Sequence, residues 1–304
     1  MQDLDLSLGG EPHTVGAALR KWTVALTRSG IESAGGDVRR LIAATLDAPA
    51  AAILSEPGRT LTDAQLKTLG DYVARRASRE PVSRILGWRD FYGRSFTISP
   101  ATLDPRPESE TLIAAALEIV RDEGGERSPL RILDVGTGSG CLLVTLLCEL
   151  RNARGTGTDI SAEALTVASG NAARLGVTQR ASWQRVDALE TVSGPFHILV
   201  ANPPYVRTGD IAHLEPEVCN FDPIVSLDGG ADGLALYRRL ASRVQSVVPD
   251  GWVILEVGYN QADEVLSIVS DAVGAVDAAR IRIHLDVAGK RRCVAVKTRA
   301  GAYA

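Results

Sequence analysis

The stretch LRILDVGTGSG, residues 130–140, decides the fold. An apolar run of branched residues leads directly into three glycines, Gly136, Gly138 and Gly140, and a second apolar run, CLLVTLLCEL (141–150), comes at once after them. Strand, glycine turn and helix in that order is the pattern of a parallel sheet whose open end lets backbone approach a ligand that side chains would obstruct. A dinucleotide-binding turn fits part of it. Two features tilt away from that alternative: the acid Asp134 precedes the glycines, and their spacing is G-x-G-x-G.

The alternation continues outward. ARGTGTDIS (153–161) reads as a strand and turn, AEALTVASGNAARLG (162–176) as a helix, FHILVANPP (196–204) as a strand, LALYRRLASRVQSVV (234–248) as a helix and GWVILEVG (251–258) as a strand. Strands and helices in alternation predict a Rossmann-like α/β fold, a mostly parallel sheet with helices on both faces. The tail RIRIHLDVAGKRRCVAVKT (280–298) predicts two further strands, antiparallel at the sheet edge. Upstream, residues 12–80 read as helices only. Val15, Ala18, Leu19, Trp22 and Leu26 share one helical face, and Thr62 with Gln65 makes a capping box for a helix running toward Arg79. Residues 82–104 change character, and the aromatics around Gly93 suggest a hairpin. The expected domains are a helical one over 1–80, a hairpin linker over 81–105 and the α/β domain over 106–304.

With 304 residues, 45% of them hydrophobic and 23% charged, the chain can bury a proper core as one large domain or two modest ones. A net charge of −4 advertises no broad nucleic-acid footprint, so no stable nucleic-acid partner is expected. The cysteines Cys141, Cys148, Cys219 and Cys293 lack the paired spacing of zinc sites and read as reduced core thiols. None of His13, His197, His213 or His284 has ligand spacing, so no metal is expected. The first thirty residues hold no basic segment followed by an apolar run, and no stretch approaches membrane-spanning length. A cytoplasmic protein, with no membrane partner, is expected.

The chemistry collects at strand ends, where parallel sheets bind ligands. Asp159, ending the second strand, can accept both hydroxyls of a ribose, and Asp187, after the third, can accept from an adenine amino group; each alone would also serve as a turn residue. The stretch LVANPPYVR (199–207) ends the fourth strand with Asn202, and Pro203 and Pro204 stiffen the turn beyond it. A planar NH₂ group is a poor nucleophile. The Asn202 side-chain oxygen and the Pro203 carbonyl could accept its two hydrogens and aim its lone pair, with Tyr205 covering the flat group by stacking.

DVGTGSG followed by NPPY resembles the S-adenosylmethionine-dependent methyltransferases that modify planar amino groups. With PVSRILGWRDFYGRSFTISPATLDPRPESETLI (81–113), EPEVCNFDPIVSLDGGADGLALYRRL (215–240) and DVAGKRRCVAV (286–296), the chain resembles the HemK/PrmC protein-(glutamine-N5) methyltransferases over roughly 81–298. That resemblance implies a class I methyltransferase sheet with a small N-terminal helical domain; residues 1–80 carry no chemical motif and are expected to bind or orient the release factor. The cofactor is then S-adenosylmethionine, leaving as S-adenosylhomocysteine, and the substrate is the glutamine of the Gly-Gly-Gln motif in class I peptide chain release factors. Carried over by position, the cofactor contacts are Asp134, Gly136, Thr137, Gly138, Ser139, Gly140, Asp159, Ile160, Asp187, Ala188 and Asn202. The substrate contacts are Asn202, Pro203, Pro204 and Tyr205, of which Asn202, Pro203 and Tyr205 carry the catalysis, in an enzyme expected to act as a monomer. This chain departs in small ways: the family more often has an aliphatic residue in place of Asp104, Thr in place of Ser109, and Tyr-Glu-Pro in place of Phe221-Asp222-Pro223. A DNA adenine-N6 methyltransferase and a ribosomal-protein glutamine methyltransferase share the amino-group chemistry and are the rival readings, and a nucleotide-binding module or dehydrogenase is a third. Arg106 and Glu110, in PRPESE, either lie near the mouth of the site or form a surface ion pair at helical spacing.

Overall fold

The computed structural model describes residues 12–274 and 277–298. The expected domains therefore include stretches, 1–11 and 299–304 among them, that lie outside the described residues. The described residues fall into two compact units. One comprises residues 12–87 with Glu215–Phe221; the other comprises Trp88–Leu214 and the described residues from Asp222 on.

The first unit is helical: α1 (Val15–Arg28), α2 (Ala34–Thr45), α3 (Ala52–Ser55), α4 (Asp63–Ala77) and α5 (Val82–Leu86). Thr14 caps α1 by accepting the Ala17 N–H, and the capping box opens α4 as its sequence predicts, with Thr62 and Gln65 exchanging hydrogen bonds. Val15, Ala18, Trp22 and Leu26 are buried in a core with Val38, Leu41, Leu69 and Val73, and Leu19 packs at its margin. Val82–Leu86 is helical, inside the stretch expected as hairpin, and ends on Gly87 in the left-handed region. Glu217, on a short helix (Pro216–Cys219) entering this unit from far along the chain, accepts from Arg76 at 3.0 Å and from Arg79 at 2.8 Å. Arg76 also holds the buried Asp37 at 2.8 Å, so the buried guanidinium is matched on both sides.

The second unit opens with a hairpin, β1 (Trp88–Phe91) and β2 (Arg94–Thr97), turning through Tyr92 and Gly93, both with positive φ as short hairpin turns demand. Next come α6 (Glu110–Asp122), β3 (Arg131–Val135), α7 (Cys141–Glu149), β4 (Arg154–Asp159), α8 (Ala162–Arg174), β5 (Ala181–Arg185) and β6 (Ile198–Ala201). After the short helix α9 (Pro216–Cys219) already described, α10 (Ala235–Val247), β7 (Trp252–Glu256), α11 (Ala262–Val273), β8 (Ile281–Leu285) and β9 (Arg291–Lys297) complete it. Apart from the β1–β2 hairpin, the seven described strands form one sheet in the order β5-β4-β3-β6-β7-β9-β8, parallel from β5 to β7 and antiparallel at β9 and β8, the edge that the tail predicts.

Strand side chains alternate between two cores. Ile132, Ile198, Val200, Trp252 and Ile254 join one with α6 and α7; Leu133, Val135, Leu199, Ala201, Val253 and Leu255 join the other with α10 and α11. The order reverses between β3 and β6, the switch point at which such sheets bind ligands. Among the described residues, no helix is long and apolar enough to cross a membrane. Of the four free cysteines Cys293 is buried in the α6–α7 core, Cys141 and Cys148 are partly buried against that core, and Cys219 is partly buried outside it.

Candidate functional site

Register brings the two motifs together. Val135 on β3 pairs with Ala201 on β6, so Gly136 and Asn202, each the next residue, leave neighbouring strands side by side. Between them opens a cavity of about 310 Å³, lined by Gly136, Thr137, Gly138, Ser139, Asp159, Ile160, Asp187, Ala188, Asn202 and Pro204 among others. Asp134 and Gly140 stand behind this wall. Pro203 and Tyr205 are outside the lining as well: Pro203 is buried, and the half-buried Tyr205 packs against the second core.

The glycine loop is shaped by its backbone. Gly136, Gly138 and Gly140 have φ of 71°, 54° and 79°, a region that side-chain-bearing residues avoid, and a Cβ on Gly136 or Gly138 would meet no atom within 4 Å. The open space beside them belongs to whatever the loop holds. The loop is tied to β4, because Asp159 accepts the Gly138 N–H at 2.9 Å through Oδ2 and the Ser161 N–H at 2.9 Å through Oδ1. Each oxygen keeps a further lone pair. Behind the loop Asp134 is fully buried. Its Oδ2 accepts from the Thr137 hydroxyl at 2.6 Å and the Leu143 N–H at 3.3 Å, and its Oδ1 has no partner. Burial pushes its pKa up to about 7, against the pull of those two donors. Asp187, at the rim, pairs with Arg239 at 2.8 Å.

On the other side, Asn202 donates through Nδ2 to the Ser109 hydroxyl at 3.1 Å, and Ser109 donates to Glu256 Oε2 at 2.5 Å. The Tyr205 hydroxyl stands 3.5 Å from Glu256 Oε1. Burial drives Glu256 up to about 7 and, with the charge of Glu256 adding to it, the Tyr205 phenol up to about 12. Ser109 and Glu256 were not among the site residues expected from sequence. The available signal was an acid at the carboxyl end of a strand, WVILE, the place that Asp159 takes in β4 and, one residue earlier, Asp134 takes in β3.

Arg106 lines the cavity and pairs with Asp222 at 2.5 Å, while Glu110 accepts the Tyr92 N–H at 2.7 Å. The surface pair considered for Arg106 and Glu110 does not form. Arg106 has extended backbone ahead of the turn Pro107–Ser109, so the two are not on one helix.

Residues 17–87 match the PrmC N-terminal domain family and 117–215 the methyltransferase small domain family. The chain is 41% identical to a protein named release factor glutamine methyltransferase from Rhodospirillum rubrum, over 94% of this chain and 86% of that one. A protein of the same name from Bradyrhizobium diazoefficiens is 37% identical over 94% and 95%. Among solved structures, the hMettl16 catalytic domain in complex with MAT2A 3'UTR hairpin 1 has a TM-score of 0.53 at 17% identity, over 76% of this chain and 82% of that one, a likeness of fold.

Proposed function

The chain belongs to the release factor glutamine methyltransferases, and we propose that it methylates the side-chain amide nitrogen of the glutamine in the Gly-Gly-Gln motif of class I peptide chain release factors. The observation that carries this reading is the β3–β6 register, which sets a glycine loop and an Asn-Pro-Pro-Tyr turn at one cavity.

The glycine side fits S-adenosylmethionine. That donor supplies an electrophilic methyl on a sulfonium sulfur and leaves as S-adenosylhomocysteine. Gly136 and Gly138 give the approach that open space at their Cβ positions permits, while Gly140, packed against Ala168, turns the chain into α7. Asp159 has a free lone pair on each oxygen for ribose hydroxyls, and Asp187 and Ala188 with Ile160 line the adenine end. The unpartnered Oδ1 of Asp134 suits a cationic ligand, whose charge would favour the ionised carboxylate.

On the acceptor side, the Asn202 Oδ1 and the Pro203 carbonyl accept the two hydrogens of the glutamine amide. This draws its lone pair out of conjugation and directs it toward the cavity. As positive charge grows on the nitrogen, the same two acceptors stabilise it. The nitrogen then sheds a proton that has become acidic, so no strong base is demanded. Pro204 supports the acceptor from the wall, and Tyr205 holds the turn through its ring and its contact to Glu256. The helical unit carries no cavity residue and is proposed to bind the release factor, in the cytoplasm, with the enzyme acting as a monomer.

Incubation with labelled S-adenosylmethionine, a class I release factor and duplex DNA tests the reading. Tandem mass spectrometry should place one methyl on the glutamine of Gly-Gly-Gln. Label on DNA adenine, with that glutamine unmodified, would overturn it.

A further inference from the structure

Three polar groups on the acceptor side form a chain whose direction is set by valence. Glu256, the last residue of β7, is 1% exposed, and Ser109, 2% exposed, lies 2.5 Å from its Oε2. A carboxylate can only accept, so the single hydroxyl proton of Ser109 goes to Glu256. Ser109 Oγ is then left with lone pairs. The Asn202 atom that meets it at 3.1 Å must be a donor, which is Nδ2. Because a side-chain amide is planar, fixing Nδ2 on Ser109 turns Oδ1 away from it.

We propose that Ser109 and Glu256 are positioning residues that orient the Asn202 amide so that its oxygen, not its nitrogen, meets the substrate amide. The inference rests on the function proposed above. Reversing the chain would present an N–H of Asn202 to an N–H of the glutamine, two donors facing each other, and the grip would fail. The register explains why this works over long sequence distance. Leu255 on β7 pairs with Ala201 on β6, so Glu256 and Asn202 end neighbouring strands, and Ser109, at the turn before α6, bridges them. Glu256 is further anchored by the Tyr205 hydroxyl. The ionisable groups that bear on Glu256 are Arg292, which favours its charged form, Glu108, which disfavours it, and the Tyr205, Tyr237, Cys141 and Cys293 groups around it. Measurement at pH 8.5, above the value of about 7 for Glu256, keeps it a carboxylate.

Two readouts test the inference on the full chain. In the first, Ser109→Ala should lower kcat by roughly 10²-fold, the scale of a misplaced catalytic group, with KM and cofactor Kd within about twofold. Ser109→Thr, which keeps the hydroxyl, should recover turnover to within about threefold of wild type. Glu256→Gln, whose amide can donate to Ser109 and reverse the chain, should be at least as slow as Ser109→Ala. The second needs no release factor: with asparagine side chains labelled by ¹⁵N, the Asn202 amide protons should exchange with solvent slowly in wild type and Ser109→Thr, and at least about tenfold faster in Ser109→Ala. Wild-type turnover in Ser109→Ala, no recovery in Ser109→Thr, or equal Asn202 exchange in all three proteins would overturn it. Should wild type leave the release factor unmodified, the proposed function fails, and the exchange contrast still decides the inference.

Discussion

Asp134 and Glu256 occupy matching places on either side of Asn202. One sits near the end of β3 and the other ends β7, the two neighbours of β6, and both continue the strand alternation that fills the α6–α7 core. Burial raises both to about 7. Their partners differ. Asp134 is held by Thr137 and Leu143, within its own strand–loop–helix unit, and keeps Oδ1 unpartnered. Glu256 spends both oxygens on the protein, on Ser109 and Tyr205. A buried acceptor left unpaired costs roughly 1–3 kcal/mol, and a cation in the cavity in front of it would favour its charged form; a satisfied one serves as scaffold. The β3 end is thus built to hold a ligand, and the β7 end to aim a side chain.

The largest expected effect separates the two ends most sharply. Asn202→Ala should reduce turnover by about 10²-fold or more, the cost of removing one aligned polar group from a transition state. Cofactor affinity, measured by calorimetry, should barely change. A parallel loss of affinity would merge the two ends into one site function. Asp159→Ala should do the reverse: weaken S-adenosylmethionine binding by roughly 1.5–3 kcal/mol, the worth of hydrogen bonds to a charged group, and spare turnover at saturating cofactor. Unchanged affinity would remove Asp159 from the ribose site.

This asymmetry also explains what could be read in the sequence. Asp134, Thr137 and the glycines are a local motif. Even Asp159, tied to Gly138, lies only 21 residues away, across one βα unit whose geometry the pattern fixes. The bond between Ser109 and Glu256 spans 147 residues, and that between Asn202 and Ser109 spans 93. No local spacing encodes such contacts; they arise from strand register. Nor does local spacing encode Glu217, on one helix, meeting Arg76 on another 141 residues away, and the spacing of Arg106 to Glu110 suggested a helix that begins only at Glu110. Helix and strand character, in contrast, was legible because hydrophobic period and capping residues are local, as Thr62 with Gln65 shows.

A smaller effect should appear in stability against pH. Both carboxyls are raised in the folded state, to about 7, above ordinary values of 3.8 for Asp134 and 4.5 for Glu256. The native state therefore binds more protons than the unfolded one between those limits. Each group makes stability fall as pH rises through that window, by at most about 1.4 kcal/mol per pH unit, and adds no slope above it. Urea unfolding at pH 5, 6 and 7 should show a shallower decline in Asp134→Asn and in Glu256→Gln than in wild type. Saturating S-adenosylmethionine should flatten the part due to Asp134, because a nearby cation favours its charged form, and leave the part due to Glu256. Equal flattening of both would mean that Glu256 also faces the ligand.

The smallest effect is expected at the rim of the ligand side. Asp187 lies on the cavity wall, where its sequence position predicts contact with an adenine amino group, yet its Oδ2 is 2.8 Å from Arg239, and both side chains are about two-fifths exposed, 41% and 44%. Arg239 is shared with Glu190 at 3.4 Å. Exposed pairs of this kind contribute about 0.2–1 kcal/mol, since water screens the charges and ordering two long side chains costs entropy. A carboxylate already facing a guanidinium, in contact with solvent, gains little by exchanging water for an amino group. Asp187→Ala should accordingly weaken cofactor binding by less than about 1 kcal/mol, well below Asp159→Ala, and raising salt should shrink even that. Calorimetry at low and high salt on both variants makes the comparison. A loss at Asp187 equal to that at Asp159 would shift the main ribose-and-base anchor from β4 to the β5 end, and Arg239 would then be the residue that holds it in place.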